Sequence, residues 1–167
     1  MPITTALNNL GVVATDRGDF EEARDHYARA LELDELADDR VGVATDRSNL
    51  AAVALRARDV AEAEAMLRQS LPGFAEAGDT VGIAEDLERW AEAALLRGEL
   101  ERAAVLFAAA SALRQAEGIP QPAIDRRRQD GLIADLRTRL ADPFPAAWER
   151  GEALSPEAAI AYALDVV

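Results

Sequence analysis

The sequence contains no cysteine and no lysine, and only 5% of its 167 residues are aromatic. Without cysteine the chain can form neither a disulfide framework nor a thiolate site for metal binding or nucleophilic attack. The single histidine, His26, has no second histidine or cysteine with which to share a metal ion, so we interpret it as a solvated helix residue. We therefore expect no catalytic residue, no metal site and no cofactor, and we do not expect an enzyme.

Long apolar runs and excess positive charge are also missing. No run approaches the length of a membrane span, and the N-terminus lacks the basic and apolar segments of a secretory signal. The formal net charge is −13, whereas nucleic acid and anionic membranes attract basic proteins. We expect a cytoplasmic protein that binds neither of them directly. Its many alanines, and its use of arginine as the only basic residue apart from histidine, favour a source with a GC-rich genome.

The apolar residues that are present predict an all-α fold built from a repeat. Alanine and leucine, two strong helix formers, supply most of them, and signals for β-hairpin turns are almost absent. Shifting the sequence by about 40 residues aligns it with itself over three copies. Each copy is predicted to be a helical hairpin with a large-small pair in its first helix and alanine followed four residues later by a large residue in its second. The pairs are Leu10-Gly11, Leu50-Ala51 and Trp90-Ala91, then Ala23/Tyr27, Ala63/Leu67 and Ala103/Phe107.

This order of residues resembles the tetratricopeptide repeat (TPR) family. The resemblance implies an α-solenoid of three hairpins, at approximately residues 1–38, 39–78 and 79–118, with Leu10, Leu50 and Trp90 in one large core slot. The family's repeat usually spans roughly 34 residues, so the added length here, in Leu33–Arg40 and Gly73–Thr80, predicts longer helices or longer loops. Residues 119–167 do not continue the repeat and are predicted to form C-terminal capping helices, with Phe144 and Trp148 as plugs.

The C-terminal part carries a second resemblance. Its pattern consists of the run Ala103–Arg114, the prolines of Gly118-x-Pro120-x-Pro122, and the residues Phe144, Trp148 and Gly151 with Ser155 and Glu157 after them. It is similar to the end of large actinobacterial transcriptional regulators of the LuxR and AfsR kind, which often have glycine where this chain has Ala108. Neither a phosphate-binding loop nor a DNA-reading helix pair is recognisable, so the resemblance implies only the sensing or docking end of such a regulator.

In TPR proteins the ligand usually lies in a concave groove formed by the first helices, and the resemblance carries that groove to twelve residues here. They are Thr5, Asn8, Asn9, Val12, Thr45, Ser48, Asn49, Ala52, Glu85, Glu88, Arg89 and Glu92. The glutamates make the last part of the groove look acidic, which would favour a basic segment, although a merely solvated face fits the same pattern.

We thus expect a non-catalytic module that binds a protein or peptide, as the regulatory C-terminal part of a bacterial transcriptional regulator. The partner could be a switch domain of the same longer protein. Two alternatives stay open, a sensor of a small molecule or peptide that uses the groove, and a free-standing TPR adaptor. A homodimer formed through the uncapped face of the first hairpin also stays open.

Overall fold

The computed structural model describes residues 2–121 and 123–164. Met1, Pro122 of the predicted linker and Asp165 of the predicted last helix lie outside this range. Over the described residues the chain has nine helices and no strand, which confirms the predicted all-α fold. The helices are α1 Pro2–Arg17, α2 Phe20–Leu36, α3 Arg40–Arg56, α4 Val60–Ala77, α5 Thr80–Arg97, α6 Leu100–Glu117, α7 Ala123–Leu140, α8 Phe144–Glu152 and α9 Pro156–Leu164.

The chain divides into two compact units, and the division into repeats and capping helices after residue 118 stays a prediction. Unit 1 is Met1–Asp79 and holds the hairpins α1–α2 and α3–α4. Unit 2 is Thr80–Val167 and holds the hairpin α5–α6 together with α7, α8 and α9. The third hairpin falls in one unit with the C-terminal helices because α8 packs closely along α6.

The added length of the repeat lies in the helices and not in the loops. The six hairpin helices have 16 to 18 residues each. The turns between the helices of a hairpin are short, and α1 is joined to α2 by Gly18 and Asp19 alone. Gly18 has a φ of 84°, a left-handed conformation that glycine adopts without a steric penalty. Asp59 caps the N-terminus of α4, where its side chain accepts a hydrogen bond from the Glu62 backbone N–H at 3.0 Å.

The core of unit 1 shows why the first helix needs a small residue beside a large one. The Tyr27 ring packs against Gly11 so closely that an added Cβ there would lie 2.5 Å from the ring. Leu50 packs beside it, and Trp90 in unit 2 is buried. Leu10 is the exception, because it is 50% exposed. The prediction that Leu10 occupies the core slot is therefore wrong, since Leu10 lies on a side of α1 that the rest of unit 1 leaves exposed.

Unit 2 is organised around α6, whose residues Ala103–Ala110 are all buried. Helix α8 meets it at Gly151, where an added Cβ would collide with the Val105 carbonyl oxygen and would lie 2.7 Å from the Ala108 Cβ. The small residues on both helices let their backbones approach. At the other end of α8, Phe144 is buried and stacks on Trp148 with 5.4 Å between ring centroids.

The contact at Gly151 gives a prediction about stability. Replacing Gly151 by alanine should lower the free energy of unfolding of unit 2 by about 1–3 kcal/mol, because the methyl group forces α8 away from α6. Gly131 in α7 is the matched control, since an added Cβ there meets no atom within 4 Å. Gly131→Ala should raise stability by about 0.5–1 kcal/mol, the usual gain for this change in an open helix position. Urea unfolding followed by circular dichroism compares them, and equal midpoints would contradict the packing described for Gly151.

Candidate binding face

The predicted groove residues of α1 form a polar, uncharged surface. Thr5, Asn9 and Val12 are exposed, and Val12 retains 48% of its accessible area. Asn8 is half-buried and lies beside the Asp46 carboxylate of α3. The three exposed side chains offer one hydroxyl, one amide and one apolar contact, which suits a peptide backbone better than a charged group.

Helix α3 contacts α1 within unit 1, and its four predicted groove residues differ in accessibility. Thr45, Asn49 and Ala52 are half-buried, and the Thr45 hydroxyl donates a hydrogen bond to the Val41 carbonyl at 2.8 Å. Ser48 is only 3% exposed, so a ligand cannot reach it, and its place is within the helix packing. The candidate face of unit 1 is therefore the α1 residues with Thr45, Asn49 and Ala52.

Two buried carboxyl groups lie behind this face. Asp46 of α3 is fully buried and Asp34 of α2 is 4% exposed. Burial raises the pKa of Asp46 to about 7, the neighbouring Asn8 amide opposes the rise, and the carboxylates of Asp34 and Asp39 add to it. Room for the Asp34 carboxyl group comes from Gly42, where an added Cβ would lie 2.7 Å from the Asp34 Cγ. The contact between the two hairpins thus contains an acidic side chain that changes its charge near neutral pH.

In unit 2 the predicted groove residues of α5 are held in ion pairs. Arg89 donates from both Nη atoms to Glu85 at 3.3 Å and lies 3.7 Å from the fully buried Asp86. Burial alone would lower the pKa of Arg89, but the carboxylates of Glu85, Asp86 and Glu88 outweigh it and raise that pKa. Arg89 is therefore a structural cation of unit 2.

The other two glutamates of α5 are paired with arginines of the following helices. Glu88 accepts from Arg114 of α6 at 2.6 Å and 3.1 Å, with both side chains nearly buried. Glu92 pairs with Arg128 of α7. Since these carboxylates already have internal counterions, the sequence argument that they favour a basic ligand segment loses its support.

Beside this ion pair is a cavity of about 530 Å³ within unit 2, which the sequence did not indicate. Its wall includes the Glu88–Arg114 pair, Arg126 of α7 and the Trp148 ring. The half-buried position of Trp148 fits its role as a wall better than the predicted role of a plug. Glu88 and Arg114 are 26 residues apart, so no local spacing connects them. The one feature of the sequence that could have indicated this ion pair was that Glu88 and Arg114 belong to the same predicted hairpin.

The comparison with known proteins concerns the first unit. Residues 2–76 match the family model of the tetratricopeptide repeat. The TPR match covers α1 to α4, and TPR repeats generally mediate protein–protein interaction. Neither curated proteins nor solved structures gave a match. The resemblance of the C-terminal part to LuxR and AfsR regulators accordingly gains no support from a relative.

Two further observations apply to residues 2–121 and 123–164 alone. These residues include no group of three histidine, cysteine, aspartate or glutamate side chains arranged to hold a metal ion. None of their helices is both long and apolar enough to cross a bilayer.

Proposed function

We propose that the protein is a non-catalytic module that binds a protein or peptide segment on the first helices of its TPR hairpins. The observation that carries this proposal is the uncharged polar face of unit 1, in the part of the chain that matches the TPR model. Asn9 and Asn49 can each donate to and accept from a peptide backbone, which gives affinity without requiring a particular charge. Because the glutamates of α5 are engaged in ion pairs within unit 2, we place the peptide on unit 1.

The test uses a peptide selected on the full chain from a random display library, because the natural partner is unidentified. We expect Asn9→Ala together with Asn49→Ala to weaken that peptide at least fivefold in fluorescence anisotropy, since one hydrogen bond contributes about 1 kcal/mol. The matched control is Gln69→Ala, which removes an exposed amide from the second helix α4. If Gln69→Ala weakens binding of the peptide as much as the double variant Asn9→Ala/Asn49→Ala does, the placement of the peptide on the first helices is contradicted.

The finer proposal is that this module is the regulatory C-terminal part of a bacterial transcriptional regulator, in the cytoplasm, where it docks a partner or its own switch domain. Its support is the C-terminal sequence pattern, together with the packing of Gly151 on Val105 and Ala108, which gives two small positions of that pattern a physical role. The genomic reading frame tests it. An upstream nucleotide-binding domain with a helix-turn-helix would support the regulator, and a start codon at Met1 would favour a free-standing adaptor.

The cavity of unit 2 favours a second candidate function, a sensor of a small molecule or short peptide. Its charged lining residues include both signs, and Trp148 supplies an aromatic wall. A thermal-shift screen with metabolites and short peptides tests this function, because a ligand that binds only the folded state raises the melting temperature. Trp148→Ala should abolish the shift of any ligand that occupies the cavity.

A further inference from the structure

Helix α1 has an apolar stripe that the rest of unit 1 leaves exposed. The stripe consists of Ile3, Ala6, Leu10 and Val13, at spacings of three, four and three residues, which places them on one side of the helix. Ile3 is 66% exposed, Leu10 is 50% exposed and Val13 is 45% exposed. Scattered apolar side chains are ordinary on a surface, but a continuous stripe along a helix indicates a packing face.

The equivalent residues of α3 show how such a stripe packs in the second repeat. A shift of 40 residues takes Leu10 to Leu50 and Val13 to Val53 of α3. In the structure Val53 is completely buried, and it and Leu50 pack against the side chains of the hairpin before them, including Tyr27. The same face of a first helix is therefore an interface one repeat later, which makes the α1 stripe the equivalent packing surface in the first repeat.

Charge favours a second copy of this chain as the occupant. The chain as a whole carries a formal net charge of −13, so most pairs of its surfaces repel each other. Helix α1 is different, because its only charged residues are Asp16 and Arg17, which cancel. Two copies can meet along α1 without placing a net charge of one sign in the interface, and a charged partner gains no attraction there.

The order of residues in the stripe is also complementary to itself. When two α1 helices lie antiparallel, Leu10 of each copy falls opposite the small Ala6 of the other, and Ile3 falls opposite Val13. Such alternation of large and small residues is how helix pairs fill their interface. The α2 face that receives Val53 inside one chain is already covered by α3, so the stripe itself is the matching surface that a second copy offers.

We propose that the protein forms a two-fold symmetric homodimer in which the α1 stripes of two copies pack antiparallel. The interface is centred on the contact of Leu10 with Ala6 of the second copy. One 16-residue helix buries little area, which places the dimer among weak, transient associations. The dimer goes beyond the peptide-binding role, because none of the four stripe residues is a groove residue, although Asn9 of the groove lies next to the stripe, four residues before Val13.

Sedimentation equilibrium of the full chain tests the dimer, over a protein concentration of about 10 to about 500 µM. We expect the average mass to rise toward twice 17.9 kDa with concentration. Leu10→Glu and Val13→Glu should each weaken the association at least tenfold, because a charge then enters the apolar stripe. The control is Val12→Glu, since Val12 is 48% exposed and Val13 is 45% exposed, yet Val12 lies on the groove side.

Three outcomes of that experiment would overturn the proposal. They are a wild-type chain that stays monomeric throughout, a dimer that survives Val13→Glu, and a Val12→Glu variant that dissociates as readily as Val13→Glu. Circular dichroism verifies that each variant is folded.

The relative orientation of the two α1 helices is tested by disulfide cross-linking. The chain has no cysteine of its own, so only the introduced cysteines can react. An equimolar mixture of Ala6→Cys and Leu10→Cys chains should form mixed disulfides faster than either variant alone, and a statistical mixture would contradict the antiparallel arrangement.

Discussion

Replacing Trp90 by alanine is expected to lower the free energy of unfolding of unit 2 by about 3–5 kcal/mol, the range for deleting a fully buried aromatic side chain. Trp90 is 1% exposed and is the largest fully buried side chain among the described residues. Its removal leaves a void that rigid neighbouring helices cannot fill. A loss of this size is a large part of the stability of a small unit, so the α5–α6 hairpin should be unfolded or partly folded at 37 °C.

The repeat supplies a control for this experiment. Leu10 holds the same position in the first hairpin but is 50% exposed, so Leu10→Ala should cost about 0.5 kcal/mol or less at protein concentrations too low for association. Urea unfolding with circular dichroism measures both variants. If Trp90→Ala unfolds at the same urea concentration as the wild type, Trp90 is not part of the core, and the assignment of the large slot fails.

Trp90 and Leu10 also show how far the sequence could predict the fold. Self-similarity placed both residues in one slot of a helical hairpin, and the structure confirms the hairpins. Self-similarity could not give the burial of these two residues, because burial depends on whether another helix covers the side of the helix on which each residue lies. The sequence likewise left open whether the added length of the repeat lay in helices or loops. The structure places the added length in the helices, and the last turns of α2, which runs to Leu36, are rich in the good helix formers leucine and glutamate.

The candidate site was less accessible to prediction, for two physical reasons. The pairing of Glu92 with Arg128 joins residues 36 apart, and only the folded path of α7 brings them together. Buried acids were missed because aspartate and glutamate on alanine-rich helices are usually solvated. A signal was nevertheless present, since the 40-residue shift takes Asp46 to Asp86, and an acid that recurs at one repeat position is a candidate for a structural role.

Asp46 should make the stability of unit 1 depend on pH. Its pKa is about 7 in the folded protein and about 3.9 in an unfolded chain, so the folded state binds more protons between these values. Stability is therefore greatest below about pH 4, falls as the pH rises toward 7, and is constant with respect to this group at higher pH. Three pKa units correspond to about 4 kcal/mol, which is the upper limit of the loss.

Asparagine at position 46 keeps the shape of the protonated acid and cannot ionise, so Asp46→Asn should remove this pH dependence. At pH 8 the variant should be more stable than the wild type by about 2–4 kcal/mol, and at pH 4.5 the difference should shrink to about 1 kcal/mol or less. Asp86→Asn is the informative control, because Asp86 lies at the equivalent repeat position but has Arg89 at 3.7 Å, where the first unit has Asn49. There the change removes a counterion from a buried guanidinium and should destabilise the protein at pH 8. Opposite signs for the two variants in urea unfolding would show that the partner, and not burial alone, decides whether a buried acid stabilises this repeat. A wild-type stability that does not change between pH 5 and pH 7 would contradict the raised pKa of Asp46.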